Sequence, residues 1–284
     1  MIDYSWPTVS GIIQNLALTA GIVAVLGVAF FFLERIKPAE KRTPFFKKDF
    51  LNECLLALSN VGFFDPLIRM VTLLLTLFFL TPYFPYQIFD ASLQQLPIVA
   101  QIFLAMLIMD FSVYWRHRFS HYALWSYHSV HHSAQQLTWL TKLRLHPIDV
   151  FAAAVFDTIF LYFLGFGGTA IATATVIMMV FDFYAHSNLN IKYPRPFRYI
   201  FASPHSHRWH HANVRAAYDK NFCAMFSIYD VVFGTFYHPE ELPPVYGLSA
   251  AEQKEFPADS FLGWLAYPFR REGKRLRKIF DKSL

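Results

Sequence analysis

Long apolar stretches, not the short alternating runs of a soluble sheet protein, set the pattern of this chain. The first, from about Gly11 to Leu33, contains no charge, and a helix that crosses a bilayer needs about 20 mostly apolar residues. It lacks a basic leading segment and a small-residue cleavage site, so it reads as a retained span and not a signal peptide. The second, roughly Leu67–Leu80, has Arg69 near its start and follows a more polar stretch, Leu51–Phe64, expected as an interfacial or re-entrant helix. The third, Ile98–Trp115, is broken only by Asp110. Ile148–Leu164, with Asp157 inside it, and Thr169–Tyr184 are joined by the glycine-rich stretch Gly165–Gly168, which suits a tight helical hairpin. The pattern predicts an all-α integral membrane protein with four to five transmembrane helices.

Composition strengthens that reading: 32 Phe, 16% charged residues and a mean hydropathy of +0.31 are excessive for a water-soluble surface. The net charge of +5 is concentrated in two clusters. One is Arg35, Lys37, Lys41, Arg42, Lys47 and Lys48; the other runs from Arg270 to Lys282. Beside spanning segments such clusters indicate anionic lipid head groups and a cytoplasmic side, not nucleic acid. Thr81–Pro97 has neither Lys nor Arg and is expected outside. Five crossings then put the N-terminus outside, and the C-terminus with both histidine-rich regions on the cytoplasmic side. Three stretches follow: N-terminal membrane helices and a basic loop (1–97), a catalytic region (98–240), and an interfacial, basic tail (241–284). Within the tail, Phe261–Phe269 reads equally as an interfacial anchor or as a packed apolar segment. Cys54 and Cys223 are far apart and form no CxxC motif, so they read as small buried residues.

The chemistry lies in the histidines. His117 and His121 are four apart; His128, His131 and His132 form HxxHH, and His207, His210 and His211 repeat it. Residues three and four apart share a helix face, so each group can aim several imidazoles at one point. A single histidine is far more often structural than a ligand, but with 12 histidines in 284 residues one HxxHH is expected by chance about 0.02 times. Eight or more imidazoles exceed what one tetrahedral zinc can use, which indicates two metal ions. All-imidazole ligation suits zinc, copper, iron or nickel alike.

The ordered set HRFSH (His117–His121), HSVHH (His128–His132) and HRWHH (His207–His211) closely resembles the fatty acid hydroxylase/sterol desaturase superfamily of membrane di-iron enzymes. The likeness extends to WLTKLRLHPID (Trp139–Asp149), HSN (His186–Asn188), SPHSHRWHH (Ser203–His211), DKNF (Asp219–Phe222) and FGTFY (Phe233–Tyr237), covering roughly Asp110 to Tyr237. Two positions depart from it: Cys223 replaces an expected small residue, and Asn190 stands where some acyl hydroxylases have a further histidine. The resemblance implies a cap of helices holding two Fe ions, with an apolar channel from the bilayer beneath, and O2 as co-substrate. The implied ligands are His117, His121, His128, His131, His132, His207, His210 and His211, with His186 a ninth and His146 either a tenth or an outer residue. Asp110, Asp182, Asp149, Asp219, His205, Asn188 and Asn221 would support them from behind. Asp110 lies seven residues before His117 and Asp182 four before His186, on shared helix faces, whereas Asp230 reads as a structural cap and His238 as a surface loop residue.

Oxidising an unactivated C–H bond requires a redox-active metal, which zinc is not. The expected function is O2-dependent hydroxylation of a membrane lipid: a sterol-like, carotenoid, ether-lipid or acyl-chain substrate. Desaturation by the same centre is the near alternative; a non-enzymatic metal-binding or transport protein is the distant one. No dinucleotide fingerprint, CxxC cluster or HPGG sequence is present, so the electrons require an external ferredoxin, rubredoxin or cytochrome.

Overall fold

The computed structural model describes residues 9–41, 47–80, 92–257 and 260–281. Helix α1 (Val9–Ile36) is followed by α2 (Phe50–Ser59), which runs without a break through a π-turn, Asn60–Phe64, into α3 (Asp65–Leu75) and a second π-turn, Thr76–Leu80. The stretch Leu51–Phe64, expected as an interfacial or re-entrant helix, is therefore the first half of one long helix. Its polar residues find partners without breaking it: Asn60 donates to the Leu145 carbonyl of a distant segment at 2.8 Å, and Arg69 bonds both oxygens of Asp65 one turn earlier at 2.8 and 2.9 Å.

Helix α4 (Ile98–Ala123) packs against both α6 (Pro147–Leu164) and α7 (Gly168–His186). Their common core is Ala105, Met106, Met109, Ala174 and Met178, closed by the loop Ala224–Phe226. Among the described residues, four helical stretches are long and apolar enough to cross a membrane: Ala17–Ile36, Phe50–Thr72, Ile98–Ala123 and Gly168–His186. The backbone of α6 is helical as expected from Ile148, though its side chains 158–163 lie outside the described residues, as do most of Thr81–Pro97. At the α6–α7 connection Gly165 has φ +77, a left-handed conformation that glycine adopts without strain and that ends α6.

The shorter elements gather at one end of these helices: α5 (Trp125–His132), α8 (Pro204–His210), α9 (Ile228–Val232) and α10 (Ala250–Glu255). The amphipathic α11 (Phe261–Phe280) packs across α5, burying Trp264 and Tyr267 while Leu262, Phe269, Leu276 and Phe280 face outward among its basic residues. The tail is thus packed on one face, as the packed-segment reading expects, and apolar on the other. No strand occurs among the described residues; Pro38 and Leu189 form an isolated bridge that ties the end of α1 to the chain after α7.

Candidate metal centre

Nine histidines converge from four elements into two groups, in each of which one nitrogen per ring lies within 4.8 Å of all the others. His117 and His121 of α4, His128 and His132 of α5 and His210 of α8 form the first; His131 of α5, His186 at the end of α7, and His207 and His211 of α8 and its cap form the second. Each HxxHH motif serves both groups. Residues four apart stay together (128 with 132, 207 with 211), while the middle histidine, 131 or 210, crosses to the other group. Adjacent helical residues diverge by about 100°, so one short helix can face two neighbouring ions. The groups abut: the rings of His132 and His211 are stacked 4.5 Å apart, those of His131 and His132 5.5 Å apart.

The spacing of the nitrogens fits a metal. His121 and His132 Nε2 are 3.1 Å apart; His186 Nε2 is 3.2 Å from His131 and 2.9 Å from His207, which is 3.2 Å from His211. With metal–nitrogen bonds of about 2.1 Å, neighbouring donors around one ion sit about 3.0 Å apart in an octahedron and about 3.4 Å in a tetrahedron. Buried Nε2 atoms of His117, His128 and His210 have no hydrogen-bond partner, which fits nitrogens that could bind a cation. Burial, reinforced by neighbouring imidazoles, pushes His131, His132, His207 and His211 well below the ordinary histidine pKa, and His210 likewise. The rings are held neutral, as ligands must be.

In five of the nine histidines the opposite ring nitrogen is steered by an oxygen acceptor. His128 Nδ1 meets Asp149 at 3.1 Å and His121 Nδ1 meets Asp219 at 3.2 Å. His117, His210 and His186 use backbone carbonyls instead: Phe222 at 2.9 Å, Lys220 at 2.8 Å and Asp182 at 2.8 Å. These contacts fix tautomer and ring orientation. The carbonyls of Lys220 and Phe222 come from a loop in which Asp219 and Asn221 take positive φ values of 56° and 55°. Asp and Asn are the side chains that best tolerate that conformation. Asn221 pins the loop by donating to the Ser206 and Tyr237 carbonyls and accepting from Tyr237 N–H.

Several expected positions sit elsewhere. His146 belongs to neither group: it caps α6, its Nδ1 accepting from Ile148 N–H at 3.1 Å, and its Nε2 faces the Leu265 carbonyl at 3.2 Å. The Asp110 carboxylate accepts from the N–H groups of Ala224, Met225 and Phe226 and touches no histidine. Seven helical residues span about 10 Å along the axis, too far for a hydrogen bond to His117 even on a shared face. The Asp182 carboxylate pairs with Lys142 at 2.5 Å, so only its backbone meets His186. Asn188 serves Glu40 and Arg208, and His205 binds the Pro239 carbonyl at 2.7 Å. His238 lies in a loop, as expected, half-buried between His205 and Phe236. Asp230 ties the Phe222 and Cys223 N–H groups to Thr235, a structural role as expected, and Cys223 is accommodated there, buried beside Tyr114.

A cavity of about 440 Å³ opens onto His121, His132 and His210, walled by Trp125, Tyr218 and Leu248. Apolar grooves of about 640 Å³ between α1 and α2 and about 470 Å³ between α1 and α7 are lined by no histidine.

Residues 102–235, which hold all nine histidines, match the fatty acid hydroxylase family. The ornithine lipid hydroxylase OlsE of Rhizobium tropici is 30% identical over 184 residues, 64% of this chain and 54% of that protein. Alkylglycerol monooxygenase of Homo sapiens is 31% identical over 147 residues (51% of this chain, 32% of that protein), and that of Danio rerio 31% over 172 residues (58% and 36%). The chain thus spans about half the length of the bacterial relative and about a third of the vertebrate ones. No solved structure matches. The matched segment 102–235, its ordered histidine motifs and these relatives support the fatty acid hydroxylase superfamily as the family of that segment.

Proposed function

We propose that this chain is an O2-dependent di-iron hydroxylase of a membrane lipid, with 98–240 as its catalytic region. The observation that carries the reading is the pair of all-imidazole groups with abutting rings, five donors beside four. Iron is favoured because C–H oxidation needs a redox-active ion, and a bound pair supplies O2 activation. His117, His121, His128, His132 and His210 would hold one ion, and His131, His186, His207 and His211 the other. Asp149 and Asp219 orient His128 and His121 and raise their basicity. The names of the relatives, an ornithine lipid hydroxylase and alkylglycerol monooxygenases, support a polar-headed lipid as substrate.

The centre lies at the ends of α4 and α7, beside the basic loop after α1 and the basic α11, and this distribution of Lys and Arg supports a cytoplasmic face for it. The outward apolar stripe of α11, flanked by arginines and lysines, suits anionic head groups. Electrons come from a separate ferredoxin, rubredoxin or cytochrome, whose acidic surface would meet that basic face. The test is lipid mass spectrometry on cells with and without the chain, grown under isotopically labelled O2. One labelled oxygen atom gained in a lipid class supports hydroxylation; loss of two hydrogens without label means desaturation; no change in any lipid contradicts the proposal.

A further inference from the structure

The histidine helices are braced by a part of the chain that lies outside the matched segment. Glu34 sits in the last turn of α1, where a carboxylate opposes the helix dipole, and it is 6% exposed. A charge placed so unfavourably calls for a compensating contact. Its Oε1 accepts from the backbone N–H of Trp139 at 2.6 Å and of Asn188 at 2.8 Å. Trp139 follows the HxxHH of α5 by seven residues, and Asn188 follows His186 by two.

Two buried arginines extend the same bracing. Arg208, between His207 and His210, is 1% exposed; it donates to Glu40 at 2.8 Å, to Asn188 Oδ1 at 2.8 Å and to the Ser187 carbonyl at 3.2 Å. Arg144, fully buried, donates to Asp49 at 2.8 Å and Glu53 at 3.1 Å. It also grips α5 directly, through the Val130 carbonyl at 2.9 Å and Ser133 Oγ, the residues on either side of His131 and His132. Glu53 in turn pairs with Lys47 at 2.8 Å. Every acidic partner in this network comes from Glu34 to Glu53.

We propose that Glu34, Glu40, Asp49 and Glu53 together form a clamp that fixes α5, α8 and the end of α7 relative to one another, and that Glu34 is its chief positioning residue. The inference rests on the metal-centre reading for one of its two tests and stands apart from it for the other.

The chain is purified in lipid nanodiscs as wild type, Glu34→Ala, Glu34→Gln and a control, Met106→Ala, in the α4–α7 core. In metal-free protein, amide hydrogen exchange should rise at least about 10-fold over 128–133 and 204–211 in Glu34→Ala. Glu34→Gln should stay near wild type, because both N–H groups use a single oxygen that an amide retains. Met106→Ala should leave these segments unchanged. In iron-loaded protein, extraction by a chelator should be about 10–100-fold faster in Glu34→Ala and near wild type in Glu34→Gln. Folded Glu34→Ala with wild-type exchange in both segments, or Met106→Ala matching its effect, overturns the clamp. If wild type binds no metal, the exchange experiment still decides the clamp while the metal reading fails alone. If Glu34→Ala does not accumulate, Glu40→Ala, at a side chain 31% exposed, decides it: raised exchange over 204–211 supports the clamp, and unchanged exchange refutes it.

Discussion

Replacing Asp110 by alanine tests how the loop that bears two histidine acceptors is held. The carboxylate is 0% exposed, and its Oδ1 accepts from Ala224 N–H at 3.0 Å and Met225 N–H at 3.2 Å, its Oδ2 from Phe226 N–H at 2.5 Å. Alanine strands three buried donors, each costing about 1–3 kcal/mol; with partial re-pairing the loss should be about 3–6 kcal/mol. Asp110→Asn keeps Oδ1 for the first two donors and turns an NH2 toward the third, so it should cost about 1–3 kcal/mol. The effect should reach the centre, because the Phe222 carbonyl that steers His117 belongs to the same loop. Reversible unfolding in mixed micelles gives the stabilities, and elemental analysis of the folded fraction gives metal retention. An alanine variant within about 0.5 kcal/mol of wild type and with undiminished metal would refute the reasoning.

Other outcomes follow from the same geometry. His131→Ala and His132→Ala, neighbours in sequence that face different groups, should each lower metal content by one ion per chain, leaving the other ion in place. Because burial holds His131, His132, His207, His210 and His211 below their unfolded pKa of about 6.5, the unfolded chain binds more protons at acidic pH. Stability present above about pH 6.5 should therefore fall as the pH drops below it, with metal released over the same range in a titration followed by melting and elemental analysis. Asp219, whose side chain is 74% exposed, should matter little to stability: Asp219→Asn should leave the melting temperature unchanged yet speed chelator extraction up to about 10-fold. Gly27 meets the Trp139 ring so closely that an added Cβ would lie 2.8 Å from it; Gly27→Ala should cost about 1–3 kcal/mol in the same unfolding assay.

Much of this site could be read from spacing because helical periodicity is rigid. The i, i+4 pairs and the two HxxHH motifs keep the faces their numbering implies, and the hydropathy runs mark the helices that carry them. What spacing conceals is competition for partners. Asp182 shares a face with His186, yet Lys142 takes its carboxylate and the helix's own carbonyl takes the imidazole. Asp110 lies on the His117 face but two turns away, and the loop amides reach it first. His146 resembles a ligand until the proline after it is seen to start α6, with the imidazole as its cap. The acceptors at Lys220 and Phe222 are carbonyls, which every residue owns, so only the Asp-Lys-Asn run that permits two left-handed residues gives them away. The polar residues of Leu51–Phe64 suggest an exposed segment, whereas Asn60 and Glu53 have partners supplied by distant segments.

Elemental analysis of the folded chain, purified in nanodiscs from iron-replete cells, tests the central claim most directly. The account predicts two iron ions per chain, one for each histidine group. Intact, folded protein that carries no transition metal would contradict it.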